Sequence, residues 1–228
     1  NPERELLPTS YYVPIAKLIE SLPESYYRQP FAVLGLGAGT TACYGREGQD
    51  FDFYEIDAEV VRIAQNSGLF TYLEKCPPNI NIIKGDGRIA LSQQPDTIGY
   101  NLLVMDAFTS DAIPMHLVTK EAVQLYIKKL HPKTGILAFN ISNRYYNLTP
   151  FLARIADELG FAAYKKAFVS DNETMKHSTF NSEWLLIVPQ DSPWQEKIEN
   201  IGFAEVTINP NTPLWVDNYS FILPAIKF

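Results

Sequence analysis

"FAVLGLGAGTTACYG", residues 31–45, joins a run of apolar residues to three glycines at alternate positions, Gly35, Gly37 and Gly39. A strand running straight into such a turn lets the chain reverse tightly and lets a ligand approach the backbone. The free amides at the start of the next helix then attract polar or anionic groups. The dinucleotide fingerprint would put a small residue three after Gly37, but Thr40 stands there. The pattern is therefore Gly-x-Gly-x-Gly, which suits a nucleoside carrying a sulfonium better than one carrying a pyrophosphate. A tight strand-to-helix turn with no ligand is the other reading.

Outward from this loop, strand-like and helix-like segments alternate. "FDFYEI" (51–56), "INIIK" (80–84), "YNLLVMD" (100–106) and "GILAFNI" (135–141) are short, apolar and bounded by turn formers. Helical patterns lie between them at 58–65, 87–93 and 119–130. Repeated units of this size predict an α/β fold with a mostly parallel sheet and helices on both faces. After residue 142 the rhythm changes. A helix over 149–160 is followed by "FAAYKKAFV" (161–169) and "EWLLIVP" (183–189) with no helix between them, so these two strands are expected as an antiparallel edge pair.

Composition narrows the function. The chain has 228 residues, a net charge of -7 and a pI near 5.0, and its only adjacent basic pairs are Lys128-Lys129 and Lys165-Lys166. Nothing here neutralises a phosphate backbone, so nucleic acid is not an expected partner, whereas the field favours a small cationic one. No apolar run approaches the roughly 20 residues needed to span a bilayer, so this chain is not expected to insert into a membrane. Cys43 and Cys76 stand apart with no Cys-x-x-Cys and no clustered histidine. This argues against a metal site and against a disulfide-stapled secreted scaffold, and makes a reducing compartment the default. The triplets Asn-x-Ser/Thr at Asn140, Asn147, Asn172 and Asn218 arise easily by chance and carry no weight.

Three acids sit where strands end. Glu55 closes the second strand twenty positions after Gly35, where a carboxylate can accept hydrogen bonds from both ribose hydroxyls. Asp86, in "GDG" (85–87), can accept from an adenine amino group, or cap the helix that Gly87 begins, or both. Asp106 ends the fourth strand, at the carboxyl edge where open parallel sheets bind ligands. Four apolar residues precede it, so its charge calls for a partner or a task. Asp111 is either loop material or a holder of a second substrate.

Together with "FYEIDAEVVRIA", "GDGRIAL", "DAFTSDAIPMHLVTKEA", "GILAFNISNRY" and "LWVDNYSFIL", the glycine loop resembles the spermidine-synthase-like family, in particular the branch often fused behind a multi-helix membrane segment. The resemblance runs from about Tyr11 to Phe221. It implies a class I S-adenosylmethionine-methyltransferase-like, Rossmann-type fold with a central first strand, in one nucleoside-binding transferase domain over 1–228. By the same resemblance Gly35, Gly37, Gly39, Glu55, Asp86 and Gly87 hold decarboxylated S-adenosylmethionine or its product. Asp106, with Asp111, is the catalytic carboxylate that takes or orients the proton of an attacking amine. No metal is implied, a cytoplasmic location is expected, within a longer membrane-attached protein or not, and a homodimer is a possible assembly.

Four differences from the family pattern are visible. Ala38 stands where spermidine synthases place an aspartate that binds the aminopropyl amine, Tyr12-Val13 replaces Tyr-His, and Asp106 and Asp111 lie five apart instead of three. The family's amino-terminal strand domain is absent from the sequence. Loss of the anion at position 38 favours intact S-adenosylmethionine, so a methyltransferase is the second expectation and a nucleoside-binding domain without turnover the third. On the substrate side, Tyr12 supplies a polar group. His116 is read as a second proton carrier or as a capping residue. Trp215, Asp217 and Tyr219 are read as a closing wall of the pocket, with Trp215 as a core anchor in the other reading.

Overall fold

A computed structural model describes residues 11–107, 113–143, 145–170, 180–219 and 223–226. Its framework is one eight-stranded sheet. Strands β1 (Phe31–Leu34), β2 (Asp50–Glu55), β3 (Asn79–Lys84), β4 (Leu102–Met105) and β5 (Ile136–Asn140) are mutually parallel. Strands β6 (Phe161–Phe168) and β7 (Ser182–Pro189) form the expected antiparallel pair, with β7 against β5. A two-residue strand, β8 (Ala204–Glu205), extends the sheet beyond β6, and the order is β3-β2-β1-β4-β5-β7-β6-β8. The sequence gives no strand signal for so short a segment, since only the backbone of β6 defines it.

The helices are α1 (Val13–Ser21), α2 (Ala58–Asn66), the single turn α3 (Tyr72–Lys75), α4 (Gly87–Ser92), α5 (Lys120–Lys129), α6 (Thr149–Glu158) and α7 (Gln195–Asn200). Three of them start on side-chain caps: Asp57 accepts from the Glu59 amide, Asp86 from Ile89 and Thr119 from Ala122. Each such cap is worth about 1 kcal/mol. Pleat alternation sends Phe31, Val33, Phe51 and Phe53 into one core with α1, α2 and α7, and Ala32, Leu34, Leu103, Met105, Leu137 and Phe139 into a second with α4, α5 and α6. Because β1, β4 and β5 are covered on both faces, every residue in them is buried. Among the described residues no helix is long and apolar enough to cross a membrane.

The sequence left Cys43 and Cys76 apart, but the structure joins them in a disulfide with Cα atoms 4.8 Å apart. Cys43 lies in the 3-10 turn Thr40–Tyr44 after the glycine loop, and Cys76 caps α3. The packing of α3 on that turn brings them together, and two single cysteines 33 positions apart carry no local sign of it.

Candidate active site

Strand order reverses between β1 and β4, and at such a point the crevice beyond the carboxyl ends is open to a ligand. Three backbone bonds lock its floor. The Gly35 amide donates to the Tyr54 carbonyl at 2.8 Å, the Asp106 amide to Leu34 at 2.9 Å, and the Gly85 amide to Glu55 at 2.9 Å. The loop glycines have different duties. Gly35 has φ +102°, and a Cβ there would lie 2.5 Å from the Asp106 carbonyl oxygen, so the loop passes over the end of β4 with no room for a side chain. Gly39 has φ +82° and is closed over by Leu73 of α3. Gly37 has φ +52° with nothing within 4 Å of a built Cβ, so its open side faces space a ligand can use.

Glu55 is tied to this loop. Its Oε2 accepts from the Leu36 amide at 2.9 Å and its Oε1 from the Asp57 amide at 2.9 Å. Two neutral donors orient the carboxylate without cancelling its charge, and each oxygen keeps a lone pair for another donor. Asp86 splits its two oxygens: Oδ1 caps α4 through Ile89 at 2.9 Å, and Oδ2 lies 3.2 Å from His116 Nε2. Gly87 begins α4 against Leu34 of β1, where a Cβ would come within 3.0 Å of that side chain.

Asp106 is half-buried just beyond β4. Tyr12 Oη donates to its Oδ2 at 2.5 Å, and Asn140 Nδ2 donates to its Oδ1 at 2.8 Å. Burial pushes its carboxyl up to about 6, against the opposing pull of hydrogen bonds from Tyr12, Asn140 and Tyr11. Burial and the charge of Asp106 in turn hold the Tyr12 hydroxyl protonated, far above its ordinary range, and raise Tyr11 to about 12. The carboxyl can therefore exchange a proton near neutrality, while the phenols stay donors.

Other residues singled out from the sequence have partners of their own. Trp215 is fully buried and stacks on Phe151 with ring centroids 4.0 Å apart. Asp217 receives a bidentate pair from Arg88 at 2.8 and 2.7 Å and a further bond from Thr119. Tyr219 is 58% exposed and bridges to Val216. The chain near 215 is thus clamped to α4 and α5, with Trp215 as its core anchor. Asp111 lies outside the described residues.

Two residues at the crevice escaped the sequence reading. Ile56, next to Glu55, is 70% exposed, and Ile89, three after Asp86, is 61% exposed. An isoleucine beside each acid supplies an apolar face on which a flat base can lie. The signal was present as an apolar residue one position after Glu55 and another three after Asp86, but each reads as ordinary core until exposure is known. A cavity of about 300 Å³ lined by Asp96, Lys128, His131 and Phe161 opens at the other end of the sheet, by the start of β5, and includes none of the loop residues.

No family model matches the chain, and no curated protein does either. Among solved structures it is similar to a probable spermidine synthase from Corynebacterium glutamicum, at 16% identity and TM-score 0.59, covering 97% of this chain and 82% of that one. It is similar also to human methyltransferase-like protein 13 in complex with SAH, at 18% identity and TM-score 0.58, covering 84% and 87%. A third is a spermidine synthase in complex with the transition-state analogue AdoDATO, at 12% identity and TM-score 0.54, covering 87% and 66%. The fold is that of the class I methyltransferase-like proteins.

Proposed function

We propose that the chain is a transferase that binds an adenosine sulfonium over the glycine loop and moves its aminopropyl group to a small cationic amine such as putrescine. On this reading the whole chain serves as one nucleoside-binding domain. The ribose hydroxyls donate to Glu55, the base lies between Ile56 and Ile89 near Asp86, and the sulfonium faces the end of β4. The acceptor ammonium first gives a proton to Asp106; the freed amine nitrogen then attacks the carbon beside sulfur, the carbon–sulfur bond breaks, methylthioadenosine leaves as a neutral thioether, and the product departs as a secondary ammonium.

The observation that carries this reading is the Asp106 carboxyl, held by Tyr12 and Asn140 just beyond β4, where the glycine loop crosses the Asp106 backbone, and pushed up to about 6 by burial. It is charged at neutral pH, so it attracts a cationic acceptor, and basic enough to relieve it of a proton. A second reading, methyl transfer from intact S-adenosylmethionine, is favoured by Ala38, which offers no anion to repel a cofactor carboxylate. A cytoplasmic location belongs to the proposal, and the Cys43–Cys76 bridge weighs against it, since reducing compartments keep such thiols unpaired.

Incubation with each sulfonium donor and putrescine, followed by mass spectrometry, separates the readings. Methylthioadenosine and a lengthened amine are expected. S-adenosylhomocysteine and a methylated product would replace aminopropyl by methyl transfer, and binding without either product would leave a nucleoside-binding domain.

A further inference from the structure

Asn140 closes β5 and is only 2% exposed. Its amide is used at both ends: Nδ2 donates to Asp106, while Oδ1 accepts from the Ser142 amide at 3.1 Å and from Ser142 Oγ at 2.6 Å. Flipping the amide would set an oxygen against the Asp106 carboxylate and a donor against two donors, so its orientation is fixed from both sides. Ser142 Oγ in turn accepts from the Glu183 amide of β7 at 2.9 Å. The serine has one hydroxyl proton; the 2.6 Å contact to Asn140 claims it over the 3.4 Å approach to the Glu183 carbonyl. Four groups are thus aligned in one sense, from the Glu183 amide through Ser142 and Asn140 to Asp106. The aligned donors polarise one another and end on the carboxylate.

We infer that Asn140 and Ser142 are positioning residues that hold Asp106 in the orientation needed for proton transfer and brace it against the antiparallel β7. Their catalytic meaning rests on the proton-acceptor reading of Asp106. The relay itself also gives the triplet Asn140-Ile141-Ser142 a use: residues two apart at a strand end project to the same side, which lets the hydroxyl reach the amide. Among the described residues, the titratable side chains facing Asp106 are Tyr12 and Tyr11. Lys165 and Glu183 pair with each other at 3.2 Å at the far end of the relay.

The test is a carbon-13 NMR titration of Asp106 in unliganded wild type, Asn140→Leu, Ser142→Ala and Ser142→Thr. Removing a donor to the charged form raises its midpoint. A rise of about one pH unit is expected for Asn140→Leu, a smaller rise for Ser142→Ala, and the wild-type midpoint for Ser142→Thr, which keeps the hydroxyl. If Asn140→Leu does not fold, the two serine variants decide. An unmoved midpoint in Ser142→Ala with wild-type melting overturns the relay. Where turnover is found, the acid limb of its pH profile moves up with the midpoint while methylthioadenosine affinity stays constant. Should no donor be turned over by the wild type, the transfer reading fails, but the titration still decides the relay.

Discussion

Tyr12 Oη reaches Asp106 Oδ2 at 2.5 Å across 94 positions of sequence, placing the start of α1 over the end of β4. A phenol held protonated by burial is a permanent donor to that carboxylate. The Tyr12→Phe variant therefore loses a bond that favours the charged form, and the Asp106 midpoint is expected to rise above about 6, carrying the acid limb of any turnover profile with it. An acid limb at the wild-type position would separate Tyr12 from the chemistry.

Asp106 also leaves a signature in stability. Its folded value of about 6 lies above the value of about 3.9 for an unfolded aspartate, so between the two the folded chain holds more protons. Its contribution must therefore fall as pH rises through about 4 to 6 and level off above, by on the order of 3 kcal/mol. Urea melts of wild type and Asp106→Asn across this window isolate the group. The wild type should lose ground to the variant as pH rises, and the opposite slope would contradict the assignment.

Gly35 and Gly37 should respond differently to alanine. At Gly35 the new Cβ meets backbone at 2.5 Å, and a cost of about 3 kcal/mol or more is expected. At Gly37 only the left-handed backbone is penalised, by about 1–2 kcal/mol. Gly37→Ala should therefore stay folded while losing affinity for methylthioadenosine, which differential melting with and without the ligand would measure.

The Arg88–Asp217 clamp is structural in this account. The Asp217 carboxylate is 41% exposed on its side chain, so solvent screening limits the loss in Arg88→Ala to about 1 kcal/mol. Hydrogen bonding from Arg88 holds the Asp217 carboxyl below its ordinary value, so this contribution is present above about pH 4 and disappears below it. Thermal melts at pH 7 and pH 3 measure both, with methylthioadenosine affinity expected to be unchanged.

Cys43 and Cys76 close a loop of 33 positions, for which chain entropy gives a stabilisation of about 3–4 kcal/mol. Dithiothreitol should lower the melting temperature of the wild type and leave Cys43→Ser unaffected. Equal melting of reduced and oxidised wild type would show that the bridge does not hold the loop to α3.

The fold was legible because its signals are local. Apolar runs ending at Leu34, Met105 and Asn140, helical repeats between them, and a missing crossover before Glu183 were enough to give a parallel sheet with an antiparallel pair. The glycine loop, Glu55 and Asp106 were legible for the same reason, since each marks a strand end. What the sequence hides is contact between distant segments. Nothing local announces that Tyr12 would meet Asp106, that Ser142 would orient Asn140, or that Cys43 would find Cys76. Trp215 and Asp217 show the converse: an aromatic and an acid in a closing segment fit a pocket wall and a core anchor equally, until stacking on Phe151 and pairing with Arg88 give each a partner.

On the proposed function, the glycine loop and Glu55 build a single adenosine site with Asp106 at its floor. Calorimetric titration of methylthioadenosine into wild type and Glu55→Ala tests this most directly. Loss of two ribose bonds to a charged acceptor should weaken binding by at least about tenfold while melting of the free protein changes little. Equal affinity in the two proteins, or no binding to the wild type, would contradict it.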